Sequence, residues 1–248
     1  MRILCLGDSI MQYNDWTSYP QTGWVQLLDR FFVPGTEILN FARNGRSSKS
    51  FITEGRFEKV LDAAQSGDFA LIQFAHNDEK INDSQRYSSA EKGGEFRKNL
   101  AFMVQKLKEK GVKPILLTPV TRRKFVSEHK IENTHGLYPQ AVTETAAELN
   151  IPCIDLTALT TRYFEKAGEN ASRIFFMNFG GGIYENYPEG KTDDSHLRCD
   201  GAYAVCRLFV GALLKLKNLW KDYSEIFDGL CTKGIYSDRE IDDEKIFW

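Results

Sequence analysis

The sequence predicts an α/β fold: a five-stranded parallel sheet wound on both faces by helices. Three observations carry that expectation. Five short apolar runs recur along the chain, segments of helical period separate them, and small or polar clusters follow the runs. Nearly continuous apolar runs suit strands buried on both faces of a parallel sheet. Parallel neighbours need long crossovers, and right-handed helical connections supply them.

The elements follow in order. The first run, "RILCLG" at 2–7, breaks at once into "DSIMQYN". Residues 22–32, "TGWVQLLDRFF", space their apolar side chains as a helix does. The second run, "TEILNFA" at 36–42, leads into "RNGRSSKS" and a helical segment at 54–64. The third, "FALIQFA" at 69–75, ends in "HNDEK". The clearest amphipathic helix spans 94–111, closed by a Lys-rich turn and Gly111. The fourth run, "KPILLTP" at 113–119, precedes "TRRKF" at 121–125, which reads as a solvated basic loop. A helix at 138–150 precedes the fifth run, "IPCIDLT" at 151–157. The aromatic, glycine-rich stretch 175–190 reads as a mobile loop flanking a cleft. The last long helix covers 201–218, with Asp200 as its N-cap. Residues 219–248 are charged and aromatic, and read as an extension packed on the same domain. No repeat or Pro-rich linker interrupts the chain, so 1–248 reads as one domain.

Composition narrows the function. The chain has 248 residues, 42% hydrophobic and 27% charged, which suits a globular domain and excludes wholesale disorder. A net charge of -2 argues against a nucleic-acid or anionic-membrane binder. No stretch reaches the roughly 20 apolar residues of a membrane span. The amino terminus lacks a leader-like pattern, and the five scattered cysteines form no C-x-x-C pair. Free thiols fit a reducing compartment, so the cytoplasm is expected, with a secreted mature form that has lost a presequence as the alternative. The "DD" and "ND" pairs fit no standard metal spacing, and neither metal nor cofactor is expected.

Ligands of such sheets sit beyond the carboxyl ends of the strands. Ser9 stands at the first strand tip and can act as a nucleophile through its hydroxyl. The Ser9 and Gly45 backbone N–H groups and the Asn77 amide can surround an oxyanion. His196 can serve as base, and Asp193, three residues earlier, can turn back to orient its imidazole. Asp194 reads as a solvated neighbour of that pair. Asp8 reads as a brace for the nucleophile turn, and His76 as loop support.

The motifs "GDSIM", "RNGRS", "AHND" and "DDSH", in that order, resemble the four sequence blocks of the GDSL, or SGNH, hydrolase superfamily. The resemblance implies a flavodoxin-like three-layer α/β/α sandwich. It makes Ser9, Gly45, Asn77 and His196 the four naming residues and Asp193 the triad acid. "GRSSKSFITEGR" and "LLTPVTRR" further resemble the rhamnogalacturonan acetylesterase branch, which removes acetyl groups from the pectin backbone. That implies an acetylated oligosaccharide as substrate, and no nucleic-acid or membrane partner. The branch usually carries glycine where Ala75 stands, and alanine resists a positive φ.

Arg46, Arg56 and Arg122, with Arg123, read either as salt-bridge partners or as forks for uronate carboxylates. Tyr184 and Tyr187 read as sugar-stacking rings or as packing under the loop. A lipid esterase or thioesterase and an acetylxylan-type esterase are the alternatives with the same triad. A non-catalytic carbohydrate-binding relative is the third.

Overall fold

A computed structural model describes residues 1–231. The strands run β1 (Arg2–Gly7), β2 (Glu37–Asn40), β3 (Phe69–Gln73) and β4 (Lys113–Leu117). A small hairpin of β5 (Phe125–Ser127) and β6 (Lys130–Ile131) follows, then β7 (Cys153–Ile154). The main sheet has the order β2-β1-β3-β4-β7, and every neighbouring pair is parallel. This is the flavodoxin-like order, and it reverses direction between β1 and β3. The crevice at that reversal is where such sheets bind ligands.

Successive side chains on a strand point to opposite faces, and both faces here are apolar. Leu4, Leu6, Ala70, Ile72 and Leu116 meet α1 (Ser48–Thr53), α2 (Arg56–Ala63), α3 (Glu95–Glu109) and α4 (Tyr138–Glu148). Ile3, Cys5, Phe69, Leu71 and Ile115 meet the other layer. That layer holds α5 (Leu156–Ala167), α6 (Cys199–Leu216), α7 (Ser224–Asp228) and a 3-10 segment, Trp24–Phe31. The result is a three-layer α/β/α sandwich. Each fully buried aliphatic or aromatic side chain contributes about 1.5–3 kcal/mol to it.

Four elements depart from the sequence reading. Residues 24–31 wind as a 3-10 helix, not an α-helix. The fifth strand shrinks to two residues, because α5 starts at Leu156 inside the expected strand. The Asp155 carboxylate accepts the Ala158 N–H at 3.0 Å and caps α5. Asp200 is not the cap of α6: Arg198 holds that position, and Asp200 lies in the first turn, where its charge favours the helix dipole. The stretch 175–190 is largely a hairpin arm: β8 (Phe176–Phe179) pairs antiparallel with β9 (Lys191–Leu197).

Of the expected extension at 219–248, the part through Cys231 is described. Ile226, Phe227 and Leu230 are buried, and Leu230 bridges to Phe32. The remainder, 232–248, lies outside the described residues.

Candidate active site

The site is built from three strand tips and one bulge. Behind β1 the chain turns tightly, with Met11 and Gln12 N–H groups donating to the Asp8 carbonyl at 3.2 and 3.1 Å. Asp8 is fully buried, and its Oδ1 accepts the Ile10 N–H at 2.9 Å. The aspartate thereby fixes the turn on which Ser9 sits. Behind β2, Gly45 takes φ +75°, a left-handed conformation that a Cβ would penalise. Neither the Ser9 nor the Gly45 N–H has a hydrogen-bond acceptor among the described residues.

Behind β3 the backbone turns at Ala75 with φ +155°. The branch glycine is absent, yet the glycine-type conformation is kept, and the alanine bears the strain. Past it, the Asn77 amide is held from both ends. Its Nδ2 donates to the Arg46 carbonyl at 3.1 Å, and its Oδ1 accepts from Lys80 Nζ at 2.8 Å. A lysine only donates, so Oδ1 must face it. That fixes the amide orientation and leaves the second Nδ2 hydrogen for another acceptor.

The fourth part is β9. Met177 pairs with Asp193, whereas the preceding Phe176 pairs with Leu197. Asp194, Ser195 and His196 therefore bulge from the ladder between two adjacent β8 residues. The Asp193 Oδ1 accepts the Ser195 and His196 N–H groups at 2.9 and 3.0 Å. Its Oδ2 lies 2.8 Å from His196 Nδ1, and His196 Nε2 lies 3.0 Å from Ser9 Oγ. Partial burial works against the Asp193 carboxylate. The hydrogen bond and charge of His196, with the two N–H groups, outweigh it and hold the carboxyl well below its ordinary pKa.

The bulge has an anchor. Arg123 is buried, 5% exposed, and its Nη1 meets Asp194 Oδ1 at 2.8 Å. Asn178 Nδ2 donates to the same oxygen at 2.7 Å. So Asp194 is a structural ion-pair partner, not a solvated neighbour. "TRRKF" is likewise no free basic loop: Thr121 and Arg123 are buried and Phe125 opens β5.

These groups line a pocket of about 390 Å³, with Ser9, Gly45, Asn77, Lys80, Arg122 and His196 on its wall. Arg122 pairs with Glu79, whose carboxyl is held down to about 2 although burial opposes it, by hydrogen bonds from His135 and Arg122. Arg46 and Arg56 both grip Glu54, at 2.9 and 3.0 Å, and their side chains are not part of the wall. Tyr184 lines a neighbouring cleft. Tyr187 packs under the loop, its ring centroid 5.7 Å from that of Phe179.

On the floor of the pocket, His76 is largely buried, and its Nδ1 faces Asp8 Oδ2 at a long 3.4 Å. Its ring meets His135 edge-on at 4.7 Å. Burial pushes the His76 imidazole below its ordinary pKa, Asp8 opposes that, and His135 and Arg122 add to it. Sequence reasoning missed Lys80 and Gln21 as wall residues. Only the spacing of Lys80, one turn past Asn77, could have signalled its role. Among the described residues no cluster of three or more His, Cys, Asp and Glu is placed to hold a metal ion.

A serine, an imidazole and a carboxylate in series, beside unused N–H donors at the switch point of a doubly wound sheet, define an acyl-transfer hydrolase class. The chain belongs to the GDSL-like lipase/acylhydrolase family, whose model matches residues 5–177, and it is an esterase. The match takes in Ser9, Gly45 and Asn77 and stops before the β9 bulge. The chain is 34% identical over 223 residues to rhamnogalacturonan acetylesterase RhgT of Bacillus subtilis strain 168, covering 90% of this chain and 94% of that protein. A probable rhamnogalacturonan acetylesterase of the same organism, YesY, is 33% identical over 216 residues, 86% of this chain and 93% of that one. Among solved structures, YxiM of Bacillus subtilis superposes with a TM-score of 0.72 at 27% identity, over 88% of this chain and 56% of that one.

Proposed function

We propose that the protein removes O-acetyl groups from rhamnogalacturonan-type saccharides through Ser9. The observation that carries this is the continuous line Asp193–His196–Ser9, at 2.8 and 3.0 Å, opening on a polar pocket. In the first half-reaction, Ser9 Oγ attacks the acetyl carbon and its proton passes to His196 Nε2. The carbonyl electron pair moves onto oxygen, where the Ser9 and Gly45 N–H groups and the remaining Asn77 hydrogen receive it. Collapse breaks the ester C–O bond, and the sugar oxygen takes the proton from His196. Water then attacks the acetyl-enzyme with the same base, releasing acetate and restoring Ser9.

The wall supports a saccharide over a long acyl chain. Ile10 is its one aliphatic member among the described residues, so no apolar trough flanks Ser9. Lys80 is bonded to the neutral Asn77 oxygen and has no carboxylate partner among the described residues. Arg122 beside it is paired with Glu79, so it is Lys80 that suits the pocket to an acidic saccharide such as one rich in uronates. The intact triad argues against a purely binding relative. Cys5, Cys153, Cys199 and Cys206 carry free thiols, which supports a reducing compartment. No helix among the described residues is long and apolar enough to cross a membrane.

The test is acetate release from acetylated rhamnogalacturonan oligosaccharides, acetylated xylo-oligosaccharides and a long-chain acyl ester. The first set should be preferred. Ser9→Ala should lower kcat by about 10⁴-fold or more while the variant stays folded. A Ser9→Ala protein with full activity would refute the nucleophile, and preference for either other substrate would refute the pectin assignment.

A further inference from the structure

Beside the pocket of Ser9 lies a second cleft, of about 560 Å³. Gln21 lines both, so the two are neighbours along one surface. The cleft gathers side chains that folding ordinarily hides. Tyr13, Trp16 and Tyr19 are 68%, 80% and 57% exposed, and Ile183 is 59% exposed. Single exposed apolar residues are ordinary, but four in one concave site mark a binding surface.

The cleft is also preformed. The Asp15 carboxylate accepts the Thr17 N–H at 2.9 Å and caps the turn that presents Trp16. From the facing loop, Asn186 Nδ2 donates to the Trp16 and Tyr19 carbonyls at 2.7 and 3.0 Å. The Tyr19 and Tyr184 rings meet edge-on at 5.6 Å. The two walls are thus tied to each other and to the hairpin that carries Asp193 and His196.

An aromatic floor with a hydrogen-bonding rim matches a pyranose: the C–H face of the sugar stacks on the ring, and its hydroxyls reach the amides and carboxylates. The charge of the rim selects further. It contains Asp15 and Glu185 and no lysine or arginine, whereas the catalytic pocket contains Lys80 and Arg122. Carboxylates repel an acidic sugar.

We infer that this cleft is a saccharide subsite: it holds a neutral pyranose, stacked on Trp16, next to an acidic acetylated residue that faces Lys80. The inference rests on the saccharide reading above and deepens it. Specificity then comes from two adjoining sites of opposite charge preference, matched to a saccharide that joins a neutral sugar to an acidic one.

The test compares two substrates in the full chain: 4-nitrophenyl acetate, too small to reach the cleft, and an acetylated rhamnogalacturonan oligosaccharide. Trp16→Ala should raise KM for the oligosaccharide about tenfold and leave turnover of 4-nitrophenyl acetate unchanged, which also reports an intact fold. Trp16→Phe should restore most of the loss. Equal behaviour of Trp16→Ala and wild type on the oligosaccharide would overturn the subsite alone. Wild-type turnover of 4-nitrophenyl acetate but of no acetylated saccharide would instead overturn the substrate reading beneath it.

Discussion

On the proposed mechanism, Asn77 and Lys80 act as one device. An oxyanion donor works only if its hydrogen is aimed before charge develops. Here the aim comes from an ammonium 2.8 Å behind the amide oxygen, which also pulls electron density away from the donor nitrogen. Lys80→Met should lower kcat on 4-nitrophenyl acetate about tenfold with little change in KM, and Lys80→Arg should recover much of it. Steady-state kinetics on that neutral ester separate this role from carboxylate recognition. The sequence named Asn77 because a polar cluster after a strand is a visible signal. Lys80 looked like any solvated lysine, since its meaning arises only when the turn folds it back on Asn77. Ala75 was legible as a departure, but its φ of +155° was not, because context overrode the alanine's own preference.

At the scale of elements, the strands of the sheet could be read because burial on both faces writes a continuous apolar run. Where a run is shared between two elements that signal fails. In "IPCIDLT" only Cys153 and Ile154 are strand, and Asp155 already caps α5. Buried Leu156, Thr160 and Phe164, four apart, were the available sign of that helix. The β8–β9 hairpin carried no clean alternation, and its bulge could not be foreseen, though its consequence, an aspartate three residues before a histidine, could. The bulge should depend on its anchor. Asp194→Ala would leave the Arg123 guanidinium buried without its carboxylate. The expected loss of stability is about 2 kcal/mol, less than for a wholly buried pair, because Asp194 is partly exposed and Ser172 still binds Arg123. Urea unfolding measures the first effect, and a fall in kcat with Ser9 untouched measures the displaced His196.

For the whole molecule, pH couples to folding through the layer beneath the pocket. His76 faces Asp8, His135 and Arg122, and burial holds its pKa down. The unfolded chain protonates this imidazole near its ordinary 6.5, while the folded protein refuses the proton until lower pH. Below 6.5 the unfolded state therefore binds more protons, and stability falls as pH falls. The slope should reach at most about 1.4 kcal/mol per pH unit. Thermal midpoints between pH 7 and 5 should drop less steeply in His76→Gln than in wild type, and parallel curves would contradict this. The doubly wound architecture was legible at this scale because apolar runs alternate with helical segments and such crossovers are right-handed. The polar cluster under the pocket was not, because His76 with Glu79, Arg122 and His135 come from three separate loops and meet only in the folded state.

The separation of the reacting groups along the chain has a consequence for biosynthesis. Ser9 and His196 meet across 187 positions. A ribosome delivers the serine 187 residues before the imidazole. Until the last hairpin docks on the sheet, the emerging polypeptide carries an ordinary, unreactive alcohol. On the proposed mechanism, hydrolytic competence thus appears in one step, when that hairpin docks, and regained turnover after denaturation should serve as a faithful clock for the closure of the sandwich.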